Sequence, residues 1–213
     1  MTDLLVKVLA AYLLGSVSGS MIVGAFRRVD IRSSGSGNAG GTNAFRTQGF
    51  RFALGVVVID IGKGALAAGL LPLVTLAALG PPASPLVQSL ACGFAAVVGH
   101  CYPLFYGFRG GKGAGTAVGA LAVIQPAVLL PMLATWLLTL TLTGWVGLAT
   151  MLAVLVLVPV LFWLGAPQPT LWFGILLAAF IVLMHRSNIR KMIGGTEHRF
   201  ERARASHWLR RGR

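Results

Sequence analysis

Residues 113–185 read GAGTAVGALAVIQPAVLLPMLATWLLTLTLTGWVGLATMLAVLVLVPVLFWLGAPQPTLWFGILLAAFIVLMH, without one Asp, Glu, Lys or Arg. Water-soluble domains carry about 25% charged residues, and only a bilayer interior tolerates so long a charge-free stretch. The tract predicts an all-α, polytopic integral membrane helical bundle. The whole chain agrees: 213 residues, 56% hydrophobic and 11% charged, with a mean hydropathy of +0.80.

Outside the tract the charges gather at the ends of apolar spans. Of 18 basic residues, nine follow His185 (Arg186, Arg190, Lys191, Arg199, Arg202, Arg204, Arg210, Arg211, Arg213) and five fall between Arg27 and Arg51. In a membrane chain such clusters mark cytoplasmic loops and contacts to anionic headgroups, so the net charge of +13 is not a nucleic-acid signature. Residues 203–213 read as a basic cytoplasmic tail on the anionic inner leaflet, and 1–202 as a single transmembrane domain. Cys92 and Cys101 are too few for a metal or disulfide framework and are expected as core thiols.

Leu4 to Phe26 reads as a first span, not a removed signal peptide. Its Gly15, Ser16, Ser18, Gly19, Ser20 and Gly24 invite close helix approach. Arg27 and Arg28 end it on the cytoplasmic side, which puts the N-terminus outside. A polar loop to about Arg51 leads into a second span, Phe52 to Leu71, where Asp60 and Lys63 share a helical face inside the bilayer. The pair reads first as a buried ion pair, second as a substrate cation held by its acid. A third span, Leu86 to Phe105, returns to the cytoplasm. Breaks at Gln125–Pro131, Thr139–Gly144 and Gly165–Pro169 divide the charge-free tract. The number of crossings between the Arg109–Lys112 loop and the tail must be even, so four short crossings give seven helices in all. Two long ones, giving five, are the alternative.

Three polar segments fall on the cytoplasmic side. The first, Ser34 to Arg46, is glycine-rich, with hydroxyl, amide and backbone N–H donors, no carboxylate and a closing cation: the parts of an anion cradle. Gly35-Ser36-Gly37-Asn38-Ala39-Gly40 formally matches a dinucleotide fingerprint, but it follows a membrane helix where the fingerprint needs a strand. The second, Gly110-Gly111-Lys112-Gly113, lacks the spacing and the Ser or Thr of a Walker loop, yet offers backbone donors and one Lys to a phosphate. In the third, His185 and Asn188 lie one helical turn apart at the end of the last span, and Glu197 is expected to anchor a basic neighbour.

Together these segments resemble the acyl-phosphate-dependent glycerol-3-phosphate acyltransferases of bacterial membranes. Ser36 to Arg46 is similar to that family's Ser-Gly-Asn-x-Gly-x-Thr-Asn-x-x-Arg motif, Gly99 to Gly113 to its Gly-His to Gly-Gly-Lys-Gly block, and His185 to Glu197 to its His-x-x-Asn-Ile to Gly-Thr-Glu block. Ala39, Gly41 and Ala114-Gly115 are mild departures. The resemblance implies acyl transfer from acyl phosphate to the 1-hydroxyl of sn-glycerol 3-phosphate, at the cytoplasmic face of the bacterial inner membrane. It implies Ser36, Asn38, Arg46, Lys112, His185 and Asn188 as catalytic residues. Gly37, Gly40, Thr42, Asn43, Gly110, Gly111, Gly113, Thr116 and Glu197 are the expected substrate contacts. No cofactor or metal is expected, since the chain has only five acids. The general base is left to a substrate phosphate oxygen or, second, to His185. An anion transporter and an acyltransferase using acyl-CoA or acyl carrier protein are the competing readings.

Overall fold

The computed structural model describes residues 2–74, 77–79 and 82–204, apart from the side chains of Ala77 and Arg202. Of the expected tail, 203–213, residues 205–213 lie outside the described residues. The described residues contain helices, turns and no strand. The chain divides into two compact units, Met1–Pro126 and Ala127–Arg213.

The first unit holds α1 (Thr2–Ser16), α2 (Gly19–Arg27), α3 (Gly41–Gln48), α4 (Phe50–Gly69), α5 (Pro85–Cys101) and α6 (Ala114–Ile124). Helix α4 packs on α6, α5, α3 and α2, and α1 packs on α5. The core is built from small side chains: Ala11, Ala67, Cys92, Ala95 and Ala96 form one cluster across α1, α4 and α5. Glycine is what permits this closeness. A Cβ on Gly15 would overlap the backbone of Ala96, and one on Gly64 the carbonyl of Thr116, so α1 touches α5, and α4 touches α6, backbone to backbone. Both cysteines are buried free thiols, as expected.

The first span proves to be broken. Helices α1 and α2 together make one 26-residue apolar length, interrupted at Val17–Ser18. A break at this depth exposes backbone groups that hydrocarbon cannot satisfy. Lys63 Nζ donates to Val17 O at 2.7 Å and Gly19 N donates to Asp60 Oδ1 at 3.2 Å. The expected Asp60–Lys63 pair is present at 3.1 Å, both side chains at most 5% exposed.

The second unit holds α7 (Leu129–Thr143), α8 (Val146–Trp163), α9 (Gln168–Met184) and α10 (Arg186–Ile193). Helix α8 packs between α7 and α9, burying Val154, Leu157 and Leu161 against Phe173, Leu177 and Ile181. Helix α7 leaves Leu130, Leu133, Leu137, Leu138 and Leu142 exposed, a face suited to lipid. The chain breaks at Gln125–Val128, Gly144–Trp145 and Gly165–Pro167, close to the expected positions. Pro131 lies in the first turn of α7, where its missing N–H costs nothing.

Among the described residues five helices are long and apolar enough to cross a membrane, or six if α9 and α10, bent by 52°, count as one span. Helix α6, with 11 residues, is about 16 Å long, roughly half the ~30 Å hydrocarbon thickness.

Candidate active site

The polar loop after α2 is built on its own first turn. Asp30 caps Ile31–Ser33: its Oδ1 accepts from Arg32 N at 2.9 Å. Gly35 and Gly37 then take φ of +60° and +72°, the left-handed region that glycine enters without strain. These turns present Ser36 and Gly37 exposed, with Asn38 half-buried. The loop was expected to be irregular as far as Arg51. Instead it becomes helical at Gly41, which puts Thr42, Asn43 and Arg46 on α3. Gly40 caps that helix, and a Cβ there would press on Asn38 Nδ2.

Asn43, expected as a substrate contact, starts from the first turn of α3. It is 1% exposed and its amide is engaged within the loop. Nδ2 donates to Ile31 O at 2.9 Å and Ser34 O at 3.1 Å, while Oδ1 accepts from Ser36 N at 2.9 Å. It therefore holds Ser36 in place and has no donor left over for a ligand. The loop base rests on α4 through Ile31, Ala44, Phe52, Ala53 and Val56.

The second loop leaves α5 at Cys101 and returns at α6. His100, met in the sequence as part of the Gly-His motif but given no role there, is central to it. Its carbonyl accepts from Gly111 N at 3.1 Å, and that of Cys101 from Gly110 N at 3.2 Å. A Cβ on Gly111 would overlap the His100 imidazole, and one on Gly110 the His100 carbonyl. The two glycines thus leave room for His100 to pack against the loop. The ring is held from behind by Asp60, whose Oδ1 lies 3.4 Å from Nδ1. A buried polar chain therefore runs from the break in the first span through Lys63, Asp60 and His100 to the residue before Lys112. Lys112 itself is half-buried. Gly113, at φ +86°, caps α6. Thr116, three residues on, is fully buried, and among the described residues its Oγ1 has no hydrogen-bond partner.

Arg32 joins the two loops. Its Nη1 donates to Tyr106 O at 3.2 Å and Arg109 O at 3.3 Å; its Nε and Nη2 hold the Asp30 carboxylate, the shortest contact being 2.7 Å. The hydrogen bonds from Arg32 hold the Asp30 carboxyl below its ordinary value and Asp30 in turn raises that of Arg32. So the Ser36 and Lys112 loops meet at the same end of the first unit.

In the second unit His185 forms the corner between α9 and α10. It is 5% exposed, with Nδ1 at 2.8 Å from Ile181 O. Asn188 is on the first turn of α10, and its Nδ2 donates to Glu197 Oε1 at 2.7 Å. Glu197, expected to anchor a basic side chain, holds Asn188. The segment after it folds back on the α7–α8 turn: Phe200 N donates to Gly144 O at 2.9 Å, and the Arg199 guanidinium lies 4.6 Å from the centre of the Trp145 ring. Among the described residues no group of three or more His, Cys, Asp or Glu is placed to hold a metal ion.

Fold and loops define a polytopic helical membrane protein with two joined glycine-rich, cationic loops at one end of its first unit. A model of the family described as glycerol-3-phosphate acyltransferase matches residues 5–195. Glycerol-3-phosphate acyltransferases of Chlorobaculum parvum and Halalkalibacterium halodurans are 37% and 40% identical, over 97% and 92% of this chain and 100% and 94% of their own. A crystal structure of PlsY (YgiH), an integral membrane glycerol 3-phosphate acyltransferase in its glycerol 3-phosphate form, is similar with a TM-score of 0.82 at 34% identity. The match covers 92% of this chain and 95% of that one, and the lysophosphatidic acid form gives 0.80. The chain belongs to the glycerol-3-phosphate acyltransferase family.

Proposed function

We propose that this protein transfers a fatty acyl group from acyl phosphate to the 1-hydroxyl of sn-glycerol 3-phosphate, giving lysophosphatidic acid and inorganic phosphate. The observation that carries this reading is the joining, through Arg32, of two loops suited to phosphate at the end of an apolar helical unit. Both substrates carry a phosphate, and one carries a tail that belongs in hydrocarbon.

Acyl phosphate is a mixed anhydride, already activated, so positioning and charge neutralisation do most of the work. The 1-hydroxyl oxygen attacks the acyl carbon, the bond from that carbon to the bridging phosphate oxygen breaks, and phosphate leaves with the electron pair. The hydroxyl proton passes to a phosphate oxygen. Ser36, Gly37, Asn38, Gly40 and Thr42 hold the acyl phosphate and polarise its carbonyl or leaving oxygen. Arg46 and Lys112 of the first unit clamp glycerol 3-phosphate, and within the second unit His185 and Asn188 are assigned catalytic roles of their own. Gly110, Gly111 and Gly113 shape the Lys112 loop, Thr116 offers a buried hydroxyl behind it, and Asn43 and Glu197 support their neighbours.

The charge pattern supports an external N-terminus and a site facing the cytoplasm; the breaks in the charge-free tract, with an even number of crossings, support seven in all, and family membership supports a bacterial inner-membrane location. Residues 1–202 act as the transmembrane acyltransferase domain, and the basic residues 203–213 lie on the anionic inner leaflet.

The test is to incubate purified protein with radiolabelled glycerol 3-phosphate and palmitoyl phosphate, palmitoyl-CoA or no donor. Lysophosphatidate formed with acyl phosphate alone is expected; its appearance with palmitoyl-CoA alone, or with neither donor, overturns the donor assignment. Lys112→Ala should raise KM for glycerol 3-phosphate at least tenfold, the loss of one charge-assisted phosphate contact. Unchanged constants would sink the clamp.

A further inference from the structure

We propose that Arg32 is a positioning residue that sets the spacing between the Ser36 and Lys112 loops, acting on turnover through them without contacting substrate. This rests on the acyl-transfer reading above.

Each loop is shaped by its own supports. The Asn43 amide fixes the first by three hydrogen bonds, and the carbonyls of His100 and Cys101 fix Gly111 and Gly110 of the second. Neither set reaches the other loop. Arg32 does, from a position four residues before Ser36 to carbonyls at Tyr106 and Arg109, the latter three residues before Lys112. Its guanidinium is oriented by the two-oxygen grip of Asp30, with contacts of 3.0, 3.1 and 2.7 Å. Asp30 is itself locked, since Ser33 Oγ donates to its carbonyl at 2.7 Å and its carboxylate caps the turn. This makes a rigid strut: a planar fork with one edge on a fixed carboxylate and one nitrogen on the opposite loop. Arginine can do this and lysine cannot, because an ammonium is a point charge without a fork.

The kinetic consequence is specific. A cradle that keeps its shape keeps its affinity, whereas two cradles that lose their separation no longer bring hydroxyl and carbonyl carbon into line. Misplacement by about 1 Å costs on the order of 100-fold in rate. Arg32→Ala should therefore lower kcat roughly 30- to 100-fold while each KM stays within about threefold.

The experiment measures kcat and both KM values with palmitoyl phosphate and glycerol 3-phosphate for Arg32→Ala, Arg32→Lys and Asp30→Asn, alongside Lys112→Ala. Monodispersity and thermal midpoint of each purified variant are recorded. Expected are a kcat loss in Arg32→Ala, the same loss in Arg32→Lys, a smaller one in Asp30→Asn, and partial recovery of kcat in Arg32→Ala on adding millimolar guanidinium. If Arg32→Ala does not fold, Arg32→Lys and Asp30→Asn, which keep a long stem or the arginine itself, carry the same kcat-against-KM reading. A rise of more than about tenfold in one KM with kcat preserved would place Arg32 on a phosphate and overturn the proposal; so would wild-type kinetics in the Arg32 variants. If Lys112→Ala raises KM as expected but the Arg32 variants keep their kcat, the strut alone fails. If Lys112→Ala leaves KM unchanged, the two-cradle reading fails first.

Discussion

Replacing Lys63 by Met removes a cation from a site 3% exposed and leaves its acid behind. In the native protein Lys63 Nζ is 3.1 Å from Asp60 Oδ1 and 2.7 Å from Val17 O. At 3.1 Å the gross attraction is about 5 kcal/mol for an effective dielectric constant near 20. Relief of the burial of the ammonium offsets part of that, and the orphaned Val17 carbonyl adds about 1 kcal/mol. Breaking a buried pair from one side costs roughly 3–5 kcal/mol. Gly19 N at 3.2 Å and His100 Nδ1 at 3.4 Å still face the carboxylate and set the lower end. For a chain of this size that lowers the thermal midpoint by roughly 6–20 °C. The assay is thermal unfolding of purified protein in detergent, followed by tryptophan emission. The decisive variant is the double one, Lys63→Met with Asp60→Asn. If an uncompensated charge is the cause, neutralising the acid restores at least half of the lost stability. A single variant within about 1 kcal/mol of wild type, or a double variant worse than the single, would refute the ion-pair account of the broken helix.

Other outcomes follow from the same geometry. Gly64→Ala should wedge α4 from α6 against the Thr116 carbonyl and abolish stable expression. Gly62→Ala, on the same helix with nothing within 4 Å of an added Cβ, should leave the thermal midpoint unchanged or higher. Asn43→Ala orphans one N–H and two carbonyls of the first loop, at about 1 kcal/mol each. It should cut kcat/KM more than tenfold and lower the midpoint by roughly 6–12 °C. The Asp30 carboxyl is held below 3.8 by Arg32, so its contribution is fully present above that pH and is lost as pH falls through the lowered value. The strut should therefore stay intact from pH 4.5 upward, read by carboxyl carbon NMR with Asp30→Asn for assignment. Titration near the ordinary value would contradict it.

What the sequence conveyed, and what it did not, follows range of interaction. The spans were legible because the bilayer forces every apolar stretch of sufficient length into helix, and Asp60 with Lys63 because three residues of helix suffice to pair them. Helix α3 was hidden: its Gly41-Thr42-Asn43 start reads as loop, and its one buried face is set by Ala44 resting on Phe52 and Val56. The break at Val17 was foreshadowed by the small residues around it, but only partners 41 and 46 positions away make it tenable. Arg32 was missed for the same reason, and His100, although part of the Gly-His motif, was given no role. The contacts of Arg32 are 74 and 77 positions distant, and no local pattern marks a strut.

The interrupted first span also constrains how the chain is made. When residues 2–27 enter the bilayer, the ribosome has yet to deliver Asp60 and Lys63, and the carbonyl of Val17 has no donor to turn to. A lone first helix is therefore an incomplete object in lipid. It must linger in a water-accessible insertion channel, or adopt a continuous helix that later snaps, until residues 50–69 arrive beside it. The first stable intermediate of biogenesis is then a helical hairpin, and truncations ending before residue 63 should be degraded while those reaching residue 70 persist.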